Sequence, residues 1–159
     1  MGVPGAGSPA VGGLTSAVPG VGLDGPVQFY SSEERHQALR NWAYGDHHTE
    51  AGVELLIGHG VWPERLDVAG FLSVTKGRIK PGRTIGDLAR PDLLGALEDL
   101  TGTGGRLRAR SSEHRVLALA ASLTDGYEVS LTWALDLLTP DQSDQVLTVF
   151  ARALPYAHR

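Results

Sequence analysis

The sequence predicts a mainly α-helical fold: one irregular domain of about six helices over residues 27–159, behind a disordered Gly/Pro-rich tail over 1–26. Three observations lead there. Apolar side chains recur at helical spacing from Ala38 to Leu154, capping signatures precede several of those stretches, and Gly or Pro punctuates the intervals between them. No internal repeat and no run of strands is apparent. Loops of about 4–12 residues suit an irregular helical domain better than a four-helix bundle.

The tail differs in composition from everything after it. Residues 1–26 hold 8 Gly and 4 Pro, with Asp24 as the sole charge. Gly raises the entropic cost of ordering and Pro removes backbone donors, so little burial is available to offset that cost. A basic n-region followed by a continuous apolar core, the mark of a secretory signal, is lacking. No apolar run approaches the ~20 residues of a membrane span, and a cytoplasmic location without membrane partners is expected. Over the whole 159-residue chain the formal charge is −4 and cysteine is absent, which excludes disulfides, thiolate metal sites and cysteine nucleophiles. Twelve Arg stand against two Lys, Lys76 and Lys80.

The helices follow in order. Ser31 and Glu34 form a capping-box pattern ahead of a helix carrying Ala38, Leu39 and Trp42, which ends near Gly45. A second helix fits 49–58, with Thr49 as N-cap and Val53, Leu56 and Ile57 on its apolar face. After Trp62-Pro63 a short helix is expected through Leu66, Ala69, Phe71 and Leu72, then a basic loop over 75–86. Pro91 suits a first helical turn, and Leu93, Leu94, Leu97 and Leu100 continue to the break at Gly102-Thr103-Gly104-Gly105. Ser111 is the expected cap of a helix whose Val116, Leu117, Ala120, Ala121 and Leu123 leave little polar surface, the pattern of a central helix. Asp125-Gly126 ends it, Tyr127–Leu131 is expected to be extended, and Trp133–Leu138 a short helix. Thr139, Pro140 and Gln142 open the last helix, with Val146, Leu147, Phe150 and Leu154 facing inward.

Four stretches suggest chemistry, and each has a plainer explanation. Asp46-His47-His48-Thr49-Glu50, with His59 nearby, offers imidazole and carboxylate ligands for a metal-dependent hydrolase. Adjacent histidines on one helix diverge, however, and a capped helix start explains the acids. Lys76, Arg78, Lys80 and Arg83 in one segment and Arg106, Arg108, Arg110 and Arg115 in another hold eight of the 14 basic residues, a candidate surface for nucleic acid or an acidic partner. No nucleic-acid-binding signature accompanies them, and loop arginines are usually solvated. Gly102-Thr103-Gly104-Gly105-Arg106 lacks the preceding strand and terminal Lys-Ser/Thr of a phosphate loop. Ser111, Glu113 and His114 are too close along one helix start to converge as a catalytic set. No cofactor is implied. Trp42, Trp62 and Trp133 are core anchors in the ordinary case, although an exposed one would mark an interface.

Ser112–Gly126, Val129-Ser130-Leu131 and the helix around Val146, together with Leu55–Trp62, resemble a family of small helical actinobacterial proteins of unknown function. The resemblance spans residues 34–154 and rests on apolar helix patterns. It implies no activity and transfers no functional residue. With no workable catalytic spacing, the expected function is a non-enzymatic protein-interaction or accessory module of a bacterial cytoplasmic system. A protein partner or self-association is expected, through Trp62, Lys76, Arg78, Lys80, Arg83, Arg106, Arg108 and Arg110. Nucleic-acid association through 76–83 and 106–115 is the alternative, and a metal-dependent hydrolase around 46–59 the second.

Overall fold

A computed structural model describes residues 2, 31–77, 79–80, 83–84 and 86–154. Apart from Gly2, the tail expected over 1–26 lies outside the described residues. The chain is mainly helical, with seven helices and one interrupted hairpin among the described residues.

Apolar side chains on every face force one helix to the centre. Helix α5 (Ser111–Asp125) buries seven consecutive residues from Arg115 to Ala121, which no amphipathic surface helix does. Around it pack α2 (His47–His59), α4 (Leu93–Thr101) and the short α6 (Leu131–Leu135), while α7 (Pro140–Ala153) covers α2 from another side. Helix α1 (Ser32–Ala43) closes a second, smaller core of Ala38, Leu39, Ala43, Val53 and Ala89. The α2–α5 contact is close because Gly52 sits in it. A Cβ there would lie 2.5 Å from Thr124 Cγ2 and 3.0 Å from the Ala120 carbonyl oxygen.

Local signals set the helix ends. The Ser31–Glu34 and Thr139–Gln142 capping boxes both form, with Pro140 opening α7. Two expected caps move. Asp46, not Thr49, caps α2, accepting from the His48 and Thr49 amides at 3.0 and 3.2 Å. Arg110, not Ser111, is the N-cap residue of α5; its amide donates to Glu113 Oε2 at 2.8 Å. Gly60 and Gly126 end α2 and α5 at φ of +79° and +69°, where a side chain would be strained.

The expected loop over 75–86 is where the reading needs correcting. Strands β1 (Leu72–Thr75) and β4 (Leu88–Pro91) pair antiparallel, and β2 (Ile79–Lys80) and β3 (Arg83–Thr84) pair farther out in the same register. Leu72-Ser73-Val74-Thr75 alternates half-buried and exposed side chains, which is the strand period. Helix α3 therefore ends at Val68 (Trp62–Val68), and Phe71 and Leu72 belong to the hairpin base. Pro91 ends β4 and leaves Asp92 to cap α4 through the Gly95 amide at 2.9 Å. Polar links fix these parts together: Arg35–Asp67 at 2.8 Å joins α1 to α3, and Asn41 donates to the Asp87 carbonyl at 3.0 Å.

Candidate functional site

The region from Tyr127 to Leu137 places apolar residues at every second position: Tyr127, Val129, Leu131, Trp133, Leu135 and Leu137. In a strand that alternation would give one apolar face. Here Ser130 caps a five-residue helix, accepting from the Trp133 amide at 3.4 Å, so a period of two is wound onto a period near 3.6. The apolar side chains then point in several directions, and the core takes only some of them. Within α6 only Ala134 is buried. Tyr127, Leu131, Trp133, Leu135 and Leu137 remain between 39% and 56% exposed.

Beneath this surface lies Arg115. Its guanidinium carbon sits 4.7 Å from the centroid of the Trp133 ring, and the residue is 8% exposed. Its Nη1 is buried with no hydrogen-bond partner, and no carboxylate among the described residues lies within ion-pair distance. The ring contact recovers part of the cost of desolvating the cation, but supplies no acceptor for that donor. His114 meets the edge of Trp133, with ring centroids 5.7 Å apart at 81°. Burial, and then the Arg115 charge, hold its pKa below the usual histidine value. The chain that follows Arg115 has the opposite sign. Residues 116–151 contain Asp125, Glu128, Asp136, Asp141 and Asp144 and neither Lys nor Arg.

The residues expected to contact a partner fare differently. Trp62 lies wholly in the core, donating from Nε1 to the Glu113 carbonyl at 3.0 Å, and has no side-chain surface to offer. The exposed tryptophan is Trp133. Lys76 pairs with Asp87 at 3.0 Å at the hairpin, Arg78 lies outside the described residues, and Lys80 and Arg83 are described by backbone pairing alone. Arg106 stacks over Phe71 at 4.7 Å and approaches Asp99 at 3.8 Å. Arg108 donates to the Gly105 and Leu107 carbonyls at 2.6 and 2.9 Å, so much of this charge is engaged internally. Arg110 is exposed.

The histidine cluster also separates. His47 and His59 occupy opposite ends of α2, about 18 Å apart. His47 Nδ1 lies 3.6 Å from Glu50 Oε2, whereas His59 Nε2 faces the Gln142 amide nitrogen at 3.3 Å. No group of three or more His, Asp or Glu that could hold a metal occurs among the described residues. A cleft of about 410 Å³ opens between α1, α2 and α7, but its inner charges Arg40 and Glu54 are bound to each other at 2.7 and 3.3 Å. Among the described residues no helix is long and apolar enough to cross a membrane. No protein-family model matches the chain, and no curated protein or solved structure matches it.

The α6 surface was the feature the sequence concealed. Its signal was the period-two alternation over 127–137 in a stretch with no basic residue, a local pattern at odds with the helix it forms.

Proposed function

We propose that this protein is a non-enzymatic interaction module, an accessory in a cytoplasmic system, that binds a protein partner through the surface built by α6 and its flanks. The observation that carries the reading is the exposed set Tyr127, Leu131, Trp133, Leu135 and Leu137. Their exposed parts sum to on the order of 400 Å² of apolar surface within one short stretch of chain, an amount comparable to the patches that mark interaction sites on soluble proteins. An exposed aromatic side chain with exposed aliphatic neighbours in the chain, and exposed acids at Glu128 and Asp136, has the composition of an interface centre and its border. The internal engagement of Arg106 and Arg108 favours this over nucleic-acid binding.

Affinity capture from the organism of origin tests it. The wild type should retain one stoichiometric protein after nuclease treatment. A Leu131→Asp/Leu135→Asp variant, altered only at exposed positions, should lose it while keeping its helical circular dichroism. Equal retention by both proteins, or loss of the partner on nuclease treatment, would refute the reading.

A further inference from the structure

We infer that the cleft between α1, α2 and α7 is a binding site for a small carboxylate with an apolar body, whose head is met by Arg40 and Arg152. This site is separate from α6 and does not depend on the interaction reading above.

The cleft draws its apolar lining from both cores. Ala43 and Val53 belong to the smaller one, Ala51 and Val149 to the larger, and all four are buried. Its volume of about 410 Å³ falls within the ~300–1,000 Å³ of small-molecule sites, which combine apolar walls with a few fixed polar groups. Here those groups come from all three helices: Arg40 from α1, Glu50 and Glu54 from α2, and Arg152 from α7.

The acids are occupied and the donors are not. Glu54 accepts from Arg40 through both oxygens, at 2.7 Å from Nε and 3.3 Å from Nη2. Glu50 Oε1 accepts from the Gly45 amide at 2.9 Å, and Oε2 lies 3.6 Å from His47 Nδ1. Glu50 also sits in the first turn of α2, where the helix dipole offsets its charge. By contrast, Arg40 Nη1 donates no hydrogen bond, and Arg152 has neither hydrogen bond nor ion pair among the described residues. Glu54 meanwhile holds the Arg40 fork in place, so little ordering remains for a ligand to impose. Unoccupied guanidinium donors beside an apolar lining select an oxyanion with an apolar tail, through charge-assisted hydrogen bonds. The two acids in the same cleft hold that charge at one, because a dianionic phosphate would face them as well as the arginines. Tyr44, exposed at the cleft, offers its ring to the ligand's body. Since α1 and α7 each pack against α2, a head bound by Arg40 and Arg152 would tie all three helices.

Amide chemical-shift titration of the full chain with hexanoate and 3-phenylpropanoate tests this, with their neutral amides and hexyl phosphate as comparisons and thermal unfolding in parallel. Either carboxylate should give saturable shifts at Ala43, Tyr44, Val149 and Arg152 with Kd below about 1 mM. It should also raise the unfolding midpoint by a few degrees at about ten times Kd. The amides and hexyl phosphate should bind at least about tenfold more weakly. Arg152→Glu, a change at an exposed site, should weaken carboxylate binding by about tenfold or more without lowering the ligand-free midpoint, and Arg152→Lys should recover part of the loss. Absence of saturable shifts at these residues up to about 5 mM of both carboxylates overturns the inference. So does equal binding of the amides, or of Arg152→Glu. Tighter binding of hexyl phosphate overturns the carboxylate as the head group.

Discussion

Arg115 and the histidines show how a single side chain carries a consequence for the whole fold. His36, His59 and His114 all have pKa values lowered from 6.5, in each case chiefly by burial. For His59 the hydrogen bonding explains the preference for the neutral ring. Gln142 Oε1 already accepts from the Thr139 amide at 3.0 Å, so the Gln142 amide nitrogen donates to His59 Nε2. A proton on Nε2 would break that bond. Since the unfolded chain binds these protons more readily than the folded one, stability present above pH 6.5 is lost as the pH falls below it. A second loss follows nearer pH 4. Asp46 and Asp87 have lowered pKa values, held down first by the Thr49 and Gly77 amides respectively, and protonation removes that stabilisation. Urea midpoints should therefore decline from pH 7.5 to 5.5 and decline again by 3.5. A midpoint that rises on acidification from 7.5 to 5.5 would contradict the assignment.

Between elements, the contact that most depends on one residue is the α2–α5 crossing. Gly52 leaves room for Thr124 and the Ala120 carbonyl, so Gly52→Ala must push α2 away from the central helix. Helix propensity favours Ala by about 1 kcal/mol, yet overpacking costs about 1–3 kcal/mol, and the backbone oxygen at 3.0 Å limits relaxation. The expected net effect is a lower denaturation midpoint. A higher midpoint would show that propensity outweighs packing there. Elements also show what a sequence can carry. Capping boxes at Ser31 and Thr139 are local and were legible, as was the burial of α5, because seven consecutive buried residues leave an unmistakable composition. The hairpin was not, because β1 and β4 are four residues each and the paired Leu72 and Pro91 stand 19 positions apart in the chain. Short strands of that kind gain stability from docking: Ala89 of β4 is buried in the smaller core, and Leu72 and Val74 of β1 pack against it.

For the whole molecule, the distribution of charge and apolar surface decides between functions. The basic residues that composition brought forward are partly absorbed: Arg106 and Arg108 by neighbouring acceptors, Arg115 under Trp133, Lys76 by Asp87. The candidate site was correspondingly half legible. An exposed tryptophan was foreseen as an interface marker, but the periodic signal of Trp62 and Trp133 is the same. What separates them is tertiary. Trp62 opens α3 and is covered by the core, with its Nε1 satisfied by α5, whereas Trp133 lies on a helix too short to bury more than Ala134. The remaining apolar surface is what a partner would cover.

The most direct measurement places a photo-crosslinking residue at Leu137 and, separately, at Val68, which is more exposed at 82% but lies on α3, outside the α6 surface. Each variant is irradiated in cells of the organism of origin. The interaction account predicts one dominant adduct of fixed mass from position 137 and none of comparable yield from position 68. No adduct at 137, or the same diffuse set from both positions, would contradict it.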